Sequence, residues 1–207
     1  MMDLWSREHT PLVAFWILVL AVWAAACGGG AQTAEQAARD GILLMGNGAE
    51  PQSLDPHVIT GIPESHIVKA LFEGLTEMDP QTLDPVPAAA ESWTVSEDQK
   101  TYTFRLRDSA RWSDGVPVKA EDFVFGWRRA LEPSLASSYA YLLFCIRNAE
   151  AYNKGDLKDF GQVGVRVASE RELEVTLEAP TPHFLSMLNL CIWMPALRDV
   201  IVKHGGE

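Results

Sequence analysis

The sequence predicts a mixed α/β (α+β) fold, and three patterns predict it. Apolar and polar residues alternate over Thr101–Leu106, over Val163–Val167 and over Leu173–Leu177, the period-two signature of half-buried strands. Apolar residues recur at helical spacing over 63–75 and 120–131. The polar Ser169-Glu170-Arg171 joins the last two strand runs as a hairpin, so strands and helices follow one another too irregularly for a doubly wound sheet.

In chain order, Ile42–Met45 is a short apolar strand candidate, followed by the turn-forming Gly46-Asn47-Gly48. That G-x-G lacks the third glycine of a dinucleotide fingerprint. Ser53-Leu54-Asp55-Pro56-His57 reads as extended chain running into a turn, because proline drives the residue before it out of the helical region. A helix follows, with Pro63 at its opening, Ile67, Val68, Leu71, Phe72 and Leu75 on its core face, and Gly74 as its C-terminal cap. Residues 79–90 hold Pro80, Pro85, Pro87 and three consecutive alanines and read as a connection.

The next strand places Tyr102, Phe104 and Leu106 on one face. Trp112-Ser113-Asp114-Gly115 is a tight turn, and Ala120–Leu131 is a helix that buries Phe123, Val124, Trp127 and Leu131 before Pro133 ends it. Glu121 and Asp122 suit the positive end of that helix. Thr181-Pro182 is read as an N-cap and first helical residue, opening a helix to about Leu190.

Composition excludes several classes. Hydrophobic residues at 47% and charged residues at 22% are globular values, against a disordered, collagen-like or polytopic chain. A net charge of −11 with no run of Lys and Arg excludes a nucleic-acid partner. No nucleophile elbow, zincin helix or P-loop occurs, and the five histidines are scattered, so the chain is not read as an enzyme and no metal or cofactor is expected. Cys145 and Cys191 lie in apolar runs; buried free thiols and a disulfide both remain open for them.

Leu12–Cys27 is an unbroken apolar run of 16 residues, shorter than the roughly 20 needed to span a bilayer and close to a secretory core. It ends in Ala24-Ala25-Ala26-Cys27 followed by Gly28-Gly29-Gly30, which resembles a bacterial lipoprotein signal. That resemblance implies a leader at 1–26, a lipid on the Cys27 thiol and a flexible tether over 27–39; an uncleaved anchor is the competing reading.

Several stretches taken together carry a second resemblance: EPQSLDPH at 50–57, GIPESHI at 61–67, LFEGL at 71–75 and PAAAESWTVSEDQKTYTFRLR at 87–107. They continue with ARWSDGVPVKAEDFVFGWRRALEP at 110–133, SSYAYL at 137–142, GVRVASERELEVTLEAPTPHF at 164–184 and VKHGGE at 202–207. From about Leu43 onward the chain closely resembles the oligopeptide-binding proteins of bacterial ABC importers, a family of extracytoplasmic solute-binding proteins. Lys119 stands where members usually carry a capping threonine, a change worth about 1 kcal/mol.

The resemblance implies a two-lobed periplasmic-binding-protein-like (type II) fold, incomplete here: residues 40–72 and 191–207 in the first lobe, 73–190 an inserted smaller domain. It implies a longer, monomeric protein in the periplasm or cell envelope that holds short peptides through their backbone and delivers them to ABC permease subunits in the membrane. Two segments match ligand-contacting stretches: Thr60-Gly61-Ile62 before the first helix, and Tyr139 in the inserted domain. Competing readings are a loop leading into the helix, with Ile62 as a hydrophobic staple, and ordinary packing for Tyr139. A peptide-sensing role and nickel or haem binding are alternatives within the family; an exported hydrolase is the alternative outside it.

Overall fold

The computed structural model describes residues 33–204, so the leader at 1–26, Cys27 with the first part of the tether, and Gly205–Glu207 lie outside the described residues. The chain divides into two compact units, one ending at Gly46 and one beginning at Asn47. In the first, helix α1 (Ala34–Arg39) is capped by Thr33, whose Oγ1 accepts from the Gln36 amide at 3.2 Å. The strand expected at Ile42–Met45 does not form. No described strand pairs with it, and all four side chains are exposed, Leu43 to 81%. Alternating or apolar sequence makes a strand only where a neighbour takes its backbone hydrogen bonds.

In the second unit, helix α2 spans Ile62–Leu71. It stops before the expected Gly74 cap because Phe72 turns extended, at φ −117° and ψ 155°. Gly74 serves a different purpose: a Cβ there would lie 2.5 Å from the Leu188 carbonyl oxygen, so only glycine lets the two backbones approach. The helix is also not the core helix that its spacing suggests. Val68 is its one buried apolar residue, and Leu71 is 66% exposed.

Residues 79–90 contain more than a connection. Strands β1 (Thr76–Met78) and β2 (Pro85–Pro87) pair antiparallel, with Thr76 opposite Pro87 and Met78 opposite Pro85. Prolines are tolerated because this two-stranded ladder needs few donors from β2. The loop between them closes on Asp79, whose Oδ1 accepts from the Gln81 and Thr82 amides at 2.8 and 2.9 Å.

A four-stranded antiparallel sheet forms the centre, in the order β3 (Ala90–Val95), β4 (Thr101–Leu106), β6 (Glu172–Thr176), β5 (Val165–Ser169). Tyr102, Phe104 and Leu106 point inward, as alternation requires, and meet Leu173 and Val175 of β6. The β5–β6 hairpin forms with Val165 buried, but β5 is an edge strand with a register shift after Val167, which is 43% exposed rather than core.

Helix α3 (Ala120–Leu131) lies against β5 and β6 and buries Phe123, Trp127 and Leu131, while Val124 is half-buried. Its N-terminus replaces the missing threonine cap with half a capping box: the Lys119 amide donates to Asp122 Oδ2 at 2.9 Å. The Trp112 indole donates to the same oxygen at 2.9 Å, tying the Trp112–Gly115 turn to the helix. Short helices α4 (Ala149–Asn153), α5 (Phe184–Met187) and α6 (Arg198–Lys203) complete the unit. The helix expected from Thr181 is reduced to α5, which follows His183 rather than Thr181, and the Thr181 hydroxyl donates to the Ala179 carbonyl.

Candidate functional site

One surface groove, of about 350 Å³, brings together three stretches that are remote in sequence: 56–66, 139–142 and 190–192. The first is shaped by the turn at Pro56, where the Asp55 carbonyl accepts from the Val58 and Ile59 amides at 3.2 and 3.3 Å. The chain then runs extended through Gly61, the N-cap residue of α2, at φ −93° and ψ 157°. Glycine leaves room there for the Glu64 carboxylate, which a Cβ on Gly61 would displace. That carboxylate accepts from the Gln52 amide at 3.0 Å, and this backbone hydrogen bond holds Glu64 below the usual carboxylate range.

All four residues singled out from the sequence, Thr60, Gly61, Ile62 and Tyr139, line this groove. The Tyr139 hydroxyl donates to the Thr60 carbonyl at 3.3 Å, so the two segments meet directly. Ile62 is the first residue of α2 and 72% exposed, which is incompatible with a staple packed at the position before the cap. The amides of Thr60, Gly61 and Ile62 donate to no acceptor among the described residues. Three residues with consecutive unpaired amides thus line the groove beside an aromatic ring.

The remaining lining is apolar, from residues such as Ile59, Leu142 and Ile192, with Ser65, His66 and Cys191 as its polar side chains. No Asp, Glu, Lys or Arg contributes. Cys191 Sγ lies 3.5 Å from Ser65 Oγ, and both Cys145 and Cys191 are free thiols, not a disulfide. Burial pushes the Cys145 thiol up to about 11. Among the described residues no three His, Cys, Asp or Glu side chains gather as metal ligands.

A buried polar cluster behind the groove went unread in the sequence. Arg129 of α3 grips Asp55 with both guanidinium ends, at 2.9 and 2.6 Å, and also donates to His57 Nδ1 at 3.1 Å. Arginine only donates, so Nδ1 accepts and the imidazole proton sits on Nε2, which donates to the Met194 carbonyl at 3.1 Å. Burial, with the ring 1% exposed, lowers the His57 pKa to about 4 and keeps it neutral. For Asp55, burial works upward, yet the Arg129 fork and the His57 amide hold the carboxyl below its ordinary range. Periodicity could not find this cluster, since its members stand 72 and 74 residues apart.

Residues 84–199, more than half of the chain, match the family model of the bacterial extracellular solute-binding proteins, family 5 Middle. The chain belongs to that family. Among curated family 5 relatives, the periplasmic oligopeptide-binding protein OppA of Escherichia coli is 44% identical over 167 residues, 79% of this chain and 30% of its own length. Among solved structures, a periplasmic oligopeptide-binding protein of Borrelia burgdorferi superposes with a TM-score of 0.72 at 37% identity, covering 76% of this chain and 32% of that one. Haemophilus influenzae OppA in complex with RPPGFSPFR gives 0.71 at 38%, covering 77% and 31%. The mixed α/β, periplasmic-binding-protein-like fold is therefore the fold of family 5, and this chain spans about a third of the length of the relatives it matches.

Proposed function

We propose that the chain is part of an extracytoplasmic solute-binding component of an ABC importer, which captures short peptides between closing lobes and hands them to permease subunits. The observation that carries this is the juxtaposition of Thr60, Gly61, Ile62 and Tyr139 around one groove with free amides and no charged side chain. An extended peptide offers carbonyls to such donors whatever its side chains are, so recognition through the backbone tolerates many sequences. The uncharged apolar lining adds contact without fixing a charge pattern. In this reading residues 40–72 and 191–207 belong to the first lobe and 73–190 to the inserted domain. The protein acts as a monomer without cofactor or catalytic step, held at the cell envelope by a lipid on Cys27.

Peptide protection of Cys191 tests the groove. Maleimide alkylation of the 207-residue chain is expected to modify Cys191 readily and Cys145 slowly, since the latter's thiolate is suppressed. Peptides of three to five residues are expected to slow labelling of Cys191 alone, with little dependence on sequence. Calorimetric titration is expected to give weak binding to these 207 residues and tighter binding to any longer product of the same reading frame. Equal labelling of Cys191 at saturating peptide would overturn the assignment of the groove.

A further inference from the structure

The groove wall at 57–62 is firmly held only in its first half: His57 and Ile59 are buried and the amides of 57–59 bond to Asp55, whereas Ile62 stands out in solvent and the amides of 60–62 are unpaired among the described residues. Its position comes from behind. Arg129 clamps Asp55 and His57, His57 reaches the Met194 carbonyl, and the Ser137 hydroxyl donates to the His57 carbonyl at 2.5 Å. Two residues further along, Tyr139 holds the Thr60 carbonyl. The segment 137–139 thus pins the wall at two carbonyls, while α3 and the chain at 194 pin its base. Gly126 makes room for this arrangement, since a Cβ there would lie 2.9 Å from the Met194 carbonyl oxygen and 3.2 Å from His57 Cε1.

We propose that Arg129, Asp55 and Ser137 are positioning residues for ligand capture, holding the 57–62 wall with its amides presented to the groove. They touch no ligand themselves; the Arg129 side chain is only 10% exposed. The inference rests on the peptide reading of the groove for its ligand, but the positioning of the wall is measurable without one. A wall held in its competent geometry binds at full strength, and affinity falls in proportion when that geometry is populated only part of the time.

The test compares Arg129→Met, Arg129→Lys and Ser137→Ala with Val175→Ala, a core truncation in β6 that destabilises the fold away from the groove. Amide hydrogen exchange at 57–59, whose amides bond to Asp55, and tri-alanine affinity are measured on the same 207-residue chain. In Arg129→Met and Ser137→Ala, exchange at the bonded amides of 57–59 is expected to accelerate by about tenfold and affinity to fall by a similar factor. Arg129→Lys is expected to recover part of both, and Val175→Ala neither. Should Arg129→Met fail to fold, Ser137→Ala and Arg129→Lys carry the comparison. Unchanged exchange at 57–59 in those variants overturns the proposal, as does faster exchange with wild-type affinity. Faster exchange in a chain whose unsubstituted form binds no peptide supports the positioning and overturns the peptide reading instead.

Discussion

The sheet with α3 and the stretch from 42 to 72 use similar apolar sequence to opposite ends. In the first, Phe104, Trp127, Leu173 and Trp193 are fully buried, and aromatic edges meet faces, as where Trp127 and Trp193 pack 5.1 Å apart at 88°. In the second, Leu43, Ile62 and Leu71 stand in solvent, and order at 55–62 comes from polar contacts to Arg129, Ser137 and Tyr139. One region is held by burial and tolerates no loss of volume. The other buries little beyond His57, Ile59 and Val68, leans on a few directional bonds, and leaves the amides of 60–62 unpaired among the described residues.

That contrast sets the scale of expected effects. Trp127→Ala empties the centre of the core and removes the indole bond to the Trp193 carbonyl at 2.8 Å, so a loss of about 3–5 kcal/mol is expected in urea unfolding. A loss below about 1 kcal/mol would show that the core repacks freely.

Acid acts on the other region. Unfolded His57 titrates near 6.5 and the folded ring at about 4, so between these values the unfolded chain binds the extra proton. Stability is therefore complete above pH 6.5 and falls by roughly 3 kcal/mol as the pH drops to 4. Asp55, whose folded pKa is depressed, adds a further loss only at lower pH, as its carboxylate is protonated. Urea midpoints across pH 4–7 measure the fall, and His57→Gln is expected to flatten it. An equally steep fall in His57→Gln would place the sensitivity elsewhere.

Gly126→Ala joins the two regions. Alanine favours the helix by up to about 1 kcal/mol, but its Cβ would press on the Met194 carbonyl and His57, an overpacking worth about 1–3 kcal/mol. A net loss of roughly 1 kcal/mol is expected, with faster exchange at 57–59. Leu71→Ser should change stability by less than about 0.5 kcal/mol, because its side chain is already in water.

How much could be read in advance follows the same division. Tyr102, Phe104, Leu173 and Val175 were legible because each strand's partner is brought beside it by a short hairpin or by one sheet neighbour. Ile42–Met45 and the outer face of α2 carry equally clear apolar spacing, yet they have no partner to bury them among the described residues. The β1–β2 pair was hidden because Pro85 and Pro87 look like loop residues while still accepting a short ladder. Thr60, Gly61, Ile62 and Tyr139 were marked through family resemblance alone; no local pattern distinguishes them.

By itself the sequence determined the mixed α/β class, the inward faces of β4 and β6, the buried side of α3 and the family, since each depends on residue order within a few neighbours or on motifs read directly. Only the tertiary structure decided that Tyr139 meets Thr60, that Arg129 joins Asp55 to His57, and that Gly126 lets the chain at 194 pass. The physical reason is range. Periodicity reports which face of one element avoids water, whereas a directional hydrogen bond between residues more than 70 apart depends on how whole elements pack.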